Sequence, residues 1–190
     1  MLQPQRPKIW AVLWDMDGVL VDTGEVHYRT WVGIFAEMGL KLEREAFNRT
    51  FGMDNNGMLS TVLGRKLEPA FVDEIARHKE AAFRENIRGN AVLLPGVRGW
   101  LEEMARHGCR QAVASSAPQA NIDVILDELG IRGYFAAVVS ASTLPGKPDP
   151  AVFLAAARAV GVPPANCTVV EDAIPGVEAA RRAGMKCIAV

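Results

Sequence analysis

The stretch Ile9-Trp10-Ala11-Val12-Leu13-Trp14-Asp15-Met16-Asp17-Gly18-Val19 decides how this chain is read. A short, nearly continuous apolar run breaks at once into two acids and a glycine. Such a run matches a strand buried on both faces of a sheet, and it is too short for a signal-peptide core or a membrane span. In an extended chain residues i and i+2 point to the same side, so Asp15 and Asp17 project together from the carboxyl end of that strand. In open α/β sheets that edge is where ligands bind. Two carboxylates at close range repel and raise one pKa, and a divalent cation is the simplest reason to pair them. Magnesium prefers hard oxygen ligands, commonly one or two carboxylates plus a substrate phosphate. Gly18 suits a backbone that turns tightly or lies close to a ligand.

Similar apolar runs recur at residues 111–114, 136–139, 168–170 and 186–190. Helical patterns lie between them at 96–107, 118–129, 150–160 and 175–183, ended by Gly108, Gly130, Gly161 and Gly184. Asp149 is a candidate N-cap for the third, with Pro150 at the first helical position; proline at the start and glycine past the end is the expected asymmetry. Strand alternating with helix predicts an α/β fold, a Rossmann-like three-layer core around a parallel sheet. Residues 23–94 break the rhythm. Val26, Trp31, Ile34, Phe35 and Met38 recur at helical spacing over 25–38, and a long helical pattern fills 69–87. The pattern predicts a small all-helical cap domain, residues 23–94, inserted after the first strand of a core made of residues 1–22 and 95–190. Its hinges are expected at 22–24 and 92–96. A fifth strand buried on both faces calls for a covering element after it. The sequence leaves open whether the fold is minimal there or the chain continues. Trp10, Trp14, Trp31 and Trp100 are expected to pack in cores.

Three further features fall at the ends of the other runs. Ser115 and Ser116 follow the second, Lys147 precedes the helix after the third, and Glu171 and Asp172 follow the fourth. A hydroxyl and an ammonium can hold phosphate oxygens, and the acids can complete a metal site. Each has a plainer reading alone. Aspartates are common turn residues, serines cap helices, a loop lysine is usually exposed, and an acidic pair favours a helix N-terminus. None of these explains why all fall at strand ends in order.

The set Asp15-x-Asp17-Gly18-Val19-x-x-Asp22-Thr23, Ser115, Lys147-Pro148 and Glu171-Asp172-x-x-x-Gly176 resembles the haloacid dehalogenase superfamily, over essentially the whole chain. The helical insertion resembles the members with a helical cap, a group that includes β-phosphoglucomutase and many small-metabolite phosphatases. The resemblance implies that Asp15 attacks phosphorus, and that Asp17 serves as general acid and then general base. It implies that Ser115 and Lys147 bind the transferring phosphoryl group. It further implies a Mg2+ site made by Asp15, Asp172 and the backbone carbonyl of Asp17, with Glu171 a support or ligand. The second aspartate points to phosphoryl transfer, since family dehalogenases do not need it. The expected function is magnesium-dependent hydrolysis of a small phosphate monoester, with a β-phosphoglucomutase-like mutase as the alternative and a silent binding protein behind both.

Gly18, Ser116, His27, Asn55 and Lys79 are the candidate substrate-binding residues. His27 matches a histidine position of the mutase group, or serves as a hinge-side hydrogen bonder. Lys79 matches a lysine of the mutase, although the mixed run Arg77-His78-Lys79-Glu80 reads slightly better as a solvated helix face. The loop 51–56 resembles one that faces the active site in this group. The mutase places an arginine there for a second phosphate; here stand Asp54, Asn55 and Asn56.

Composition is that of an ordinary globular protein, 49% apolar and 23% charged. A net charge of −1 gives no electrostatic case for nucleic acid or an anionic membrane surface. Cys109, Cys167 and Cys187 are far apart and odd in number, so they read as buried small hydrophobes of a reducing compartment. The default location is the cytoplasm and the default state a monomer, with a small phosphorylated metabolite as partner.

Overall fold

The computed structural model describes residues 10–50 and 52–190; the proline-broken start, Ile9 and Phe51 lie outside the described residues. Five parallel strands form one sheet: β1 (Ala11–Trp14), β2 (Arg110–Ser115), β3 (Ala137–Ser140), β4 (Cys167–Glu171) and β5 (Lys186–Ala189). Their order is β3-β2-β1-β4-β5. The chain therefore runs outward from β1 to β3, then returns to the other side of β1. The strand order reverses at β1, and ligands bind at such a switch point, outside the carboxyl ends of the strands.

Helices α1 (Gly24–Glu37), α2 (Arg44–Thr50), α3 (Asn55–Leu63) and α4 (Pro69–Ile87) follow β1, with no strand among the described residues between them. Helices α5 (Val97–Arg106), α6 (Gln119–Glu128), α7 (Ala151–Ala159) and α8 (Ile174–Arg182) alternate with the remaining strands. The chain divides into two compact units, one running to Val21 and resuming at Leu93–Val190, the other Asp22–Val92.

Every residue of β1 is buried. Ala11 and Leu13 share one face with Ala112, Ala114 and Val169, where Phe153 and Ala156 of α7 and Ala179 and Ala180 of α8 cover them. The alternate residues point the other way. There the Trp14 Nε1–H donates to Gln111 Oε1 at 3.0 Å, and Gln111 Nε2 donates to the Leu101 carbonyl of α5 at 2.9 Å. Both polar ends of a buried glutamine are thus satisfied, and helices cover both faces, giving the three layers expected.

Some expectations fail at the edges. Trp14 and Trp31 are buried, but Trp10 is 37% and Trp100 60% exposed. Trp10 precedes β1 and Trp100 lies on the solvent side of α5, whose buried residues are Val97 and Leu101. β5 is not buried on both faces: as an edge strand bonded to β4 alone, it leaves Ile188 54% exposed and only Cys187 half-buried. Cys109 and Cys167 are buried, and all three thiols are free. Asp149 is not the N-cap of α7: the helix starts at Ala151 with Pro150 in the cap position, and Asp149 accepts from the Ala151 amide at 2.9 Å from one residue further out.

The helical unit has its own core, in which Trp31, Ile34 and Phe35 of α1 meet Phe47, Met58, Leu59 and Val72. Asp54 caps α3 by accepting from the Gly57 amide at 2.7 Å. Among the described residues no helix is long and apolar enough to cross a membrane.

Candidate active site

The core-unit candidates gather at the carboxyl ends of β1, β2 and β4. Asp15 follows β1 directly, and its amide donates to the Val170 carbonyl at 3.0 Å, which sets it beside Glu171. The backbone then turns tightly. The amides of Leu20 and Val21 donate to the Met16 carbonyl at 2.9 and 3.1 Å, and Gly18 N donates to the Val21 carbonyl at 2.9 Å. Gly18 needs to be glycine twice over. Its φ is +81°, and a Cβ there would lie 2.2 Å from Asp172 Oδ2.

Ser115 ends β2, is almost wholly buried, and accepts from the Ala117 amide at 3.1 Å; Ser116 beside it is exposed. Lys147 joins the strands, its Nζ donating to Asp15 Oδ1 and, at 2.7 Å, to Glu171 Oε2. Glu171 is 1% exposed, and its other oxygen accepts from the Ala173 amide at 3.2 Å. A Cβ at Gly176 would fall 2.0 Å from Glu171 Cδ, so the first turn of α8 lies directly on this carboxylate. Gly176 stood in the sequence motif without a role; the close approach supplies one.

Burial pushes the Asp15 carboxyl up to about 7; Lys147 works against this, while the Glu171 and Asp17 carboxylates add to it. Burial also opposes charge on Lys147, but the carboxylates of Asp15 and Glu171 outweigh it and hold the ammonium above its usual range. Asp15, Glu171 and Asp172 each offer a carboxylate oxygen, all within 4.8 Å of one another. The Asp17 side chain is half-buried and outside that group. Three hard oxygen donors against one ammonium leave an excess of negative charge, and this donor set fits Mg2+. Asp15, Glu171 and Asp172 would hold such an ion, and it would supply charge neutralisation for a phosphoryl group.

His27, Asn55 and Lys79 belong to the helical unit and form a cluster of their own. His27 of α1 stacks on Phe83 of α4, ring centroids 4.2 Å apart. The Lys79 ammonium lies 5.4 Å from the Phe83 ring and 5.7 Å from Trp31. It pairs with Glu80 Oε1 at 2.9 Å, and the same oxygen accepts from Asn55 Nδ2 at 3.0 Å. Burial, and then the charge of Lys79, hold the His27 pKa well below the usual value, so the ring is neutral at pH 7. Lys79 is only 4% exposed, which corrects the expectation of a solvated helix face. Arg77 and His78 remain outside the core, while packing of α4 on α1 turns Lys79 inward. Glu80 was not foreseen as its partner. Adjacent helix residues do not ordinarily face each other, so the sequence carried no signal for it.

These features are those of the haloacid dehalogenase-like hydrolases. Residues 9–184 match that family, and the chain belongs to it. It is 37% identical over 190 residues to the chloroplastic protein SUPPRESSOR OF QUENCHING 1 of Arabidopsis thaliana, covering 96% of this chain but only 18% of that much longer protein. It is 33% identical to the β-phosphoglucomutase of Bacillus subtilis, covering 95% of this chain and 82% of the mutase. It is equally 33% identical to the fructose-1-phosphate phosphatase YqaB of Escherichia coli, covering 95% of each. The chain is thus an enzyme of the hydrolase class.

Proposed function

We propose that the protein is a magnesium-dependent phosphatase of small phosphate monoesters, with a sugar phosphate as the substrate class. The observation that carries this reading is the convergence of Asp15, Lys147, Glu171 and Asp172 at the switch point of the sheet, with Asp17 two residues from the nucleophile. An Asp15 oxygen attacks phosphorus as the ester P–O bond breaks, and Asp17 gives its proton to the leaving oxygen. Water then attacks the aspartyl phosphate, Asp17 takes the water proton, and phosphate departs with Asp15 restored. One hard displacement becomes two easier ones. Lys147 neutralises charge on the transferring group, and Ser115 donates a hydrogen bond to it. The helical unit serves as a cap that rotates at residues 22–24 and 92–96 and admits substrate. Gly18 and Ser116 of the core unit are the residues that contact the substrate's phosphate ester, while His27, Asn55 and Lys79 form the packed cluster of the helical unit. The three free thiols suit a cytoplasmic setting.

The mutase reading rests on the equal identity to β-phosphoglucomutase. The helical unit favours the phosphatase. Its loop 51–56 carries Asp54 as a helix cap with Asn55 and Asn56 and no arginine, and its buried Lys79 is already matched by Glu80. Phosphate release from a panel of sugar phosphates and other metabolite monoesters, with Mg2+ and with chelator, tests the proposal. Magnesium-dependent release by the wild type that is lost in Asp15→Asn is the expected result. Silence on the panel, with conversion of β-glucose 1-phosphate to glucose 6-phosphate in the presence of a bisphosphate primer, would replace it with the mutase.

A further inference from the structure

A second serine stands beside the phosphate-binding segment. In the register of the sheet Ser140, the last residue of β3, is the direct partner of Ser115, the last residue of β2. The Ser140 hydroxyl donates to the Ala117 carbonyl at 2.6 Å. It accepts from the Ser142 amide at 3.2 Å and lies 3.0 Å from the Ser142 hydroxyl. A hydroxyl has one hydrogen and two lone pairs. The short contact to a carbonyl takes the hydrogen, so the Ser142 hydroxyl must be the donor in their pair, and all the bonding capacity of Ser140 is used.

Further hydrogen bonds tie the segment that it holds. The Ala117 amide donates to Ser115 Oγ at 3.1 Å, and the Ser115 carbonyl accepts from the Ala141 amide at 2.8 Å. Pro118 follows and has no amide hydrogen to give. The orientation of the Ala117 carbonyl therefore depends on Ser140, and through the Ala117 amide so does the Ser115 hydroxyl. With its lone pair engaged by that amide, Ser115 keeps its own hydrogen to donate.

We propose that Ser140 is a positioning residue for phosphoryl transfer, latching residues 115–117 so that the Ser115 hydroxyl and the exposed Ser116 meet the transferring group. The proposal rests on the phosphatase reading above. It reaches a residue outside the recognised motifs, one whose hydroxyl acts only through the segment it holds.

Ser140→Thr and Ser140→Val have the same shape and differ only in the hydroxyl, so their comparison tests the latch. Both are assayed for phosphate release and for inhibition by orthovanadate, with thermal unfolding as the check on folding. Ser140→Val should lose about tenfold to a hundredfold in kcat/KM, carried mainly by kcat, because a misplacement of ~1 Å costs on that order. Vanadate inhibition should weaken in step, and Ser140→Thr should rescue both. Equal values for the two folded variants would overturn the proposal. If Ser140→Val does not fold, Ser140→Ala against Ser140→Thr reads the same ratio with the same two outcomes. A wild type inactive on every ester sinks the phosphatase reading and this proposal with it; an active wild type with equal variants sinks the proposal alone.

Discussion

In the core unit three carboxylates meet one ammonium; in the helical unit one carboxylate meets one ammonium against two aromatic rings, beside a neutral histidine. Asp15, Glu171 and Lys79 are withdrawn from water while Asp172 is exposed, and the two clusters answer the cost of burial differently. Glu80 satisfies Lys79 within its own unit. The core cluster stays short of positive charge and pushes the Asp15 carboxyl up to about 7, burial being the main cause. Such an unbalanced set of acids at the switch point of the sheet marks chemistry, whereas a matched pair contributes shape and stability.

Substitutions in the core cluster should therefore act on turnover. Asp15→Asn removes the nucleophile and should reduce phosphate release by at least about a thousandfold in steady-state assays. Gly18→Ala forces a Cβ toward Asp172 from a left-handed backbone, and should lower kcat/KM by roughly a hundredfold while raising the Mg2+ concentration needed for half-maximal rate. A normal magnesium dependence in that variant would break the link between Gly18 and the acids. Substitutions in the helical cluster should act on stability instead. Lys79→Met leaves Glu80 largely buried without its counterion, and should cost about 3 kcal/mol in urea unfolding. Adding Glu80→Gln should recover part of that loss; additive losses would mean that the two side chains are not coupled.

The smallest expected effect concerns pH. The folded protein holds the Asp15 proton more tightly than an unfolded chain, whose carboxyl titrates near 3.8. The stability cost of ionising Asp15 is absent below that value and grows as pH rises towards about 7. Asp15→Asn mimics the protonated acid. In chelator at pH 8 it should melt a few degrees above the wild type, and the gap should close towards pH 4. A gap independent of pH would show that Asp15 carries no such burden.

The two clusters also differ in how far sequence reveals them. Asp15 and Asp17 sit at the end of a fully buried four-residue strand. Their place at a strand end was legible from the break in the apolar run, and the same signal placed Ser115 and Glu171 at the ends of β2 and β4. Lys79 was misjudged because its neighbours are charged, and periodicity in a mixed run does not say which residue turns inward. Only the packing of α4 against Trp31 and Phe83 decides it. Trp100 illustrates the converse: an aromatic on a helix reads as core, yet Val97 and Leu101 take the buried face of α5. Ser140 escaped notice because its partner, the Ala117 carbonyl, is a backbone atom 23 residues away.

Acid-quenched enzyme, mixed briefly with Mg2+ and a turned-over sugar phosphate and then digested for peptide mass spectrometry, offers the most direct trial of the nucleophile. A phosphoryl group on the peptide carrying Asp15, absent from Asp15→Asn, is the predicted result. Turnover with the label on Ser115, or with no label on Asp15 under single-turnover quenching, would contradict it.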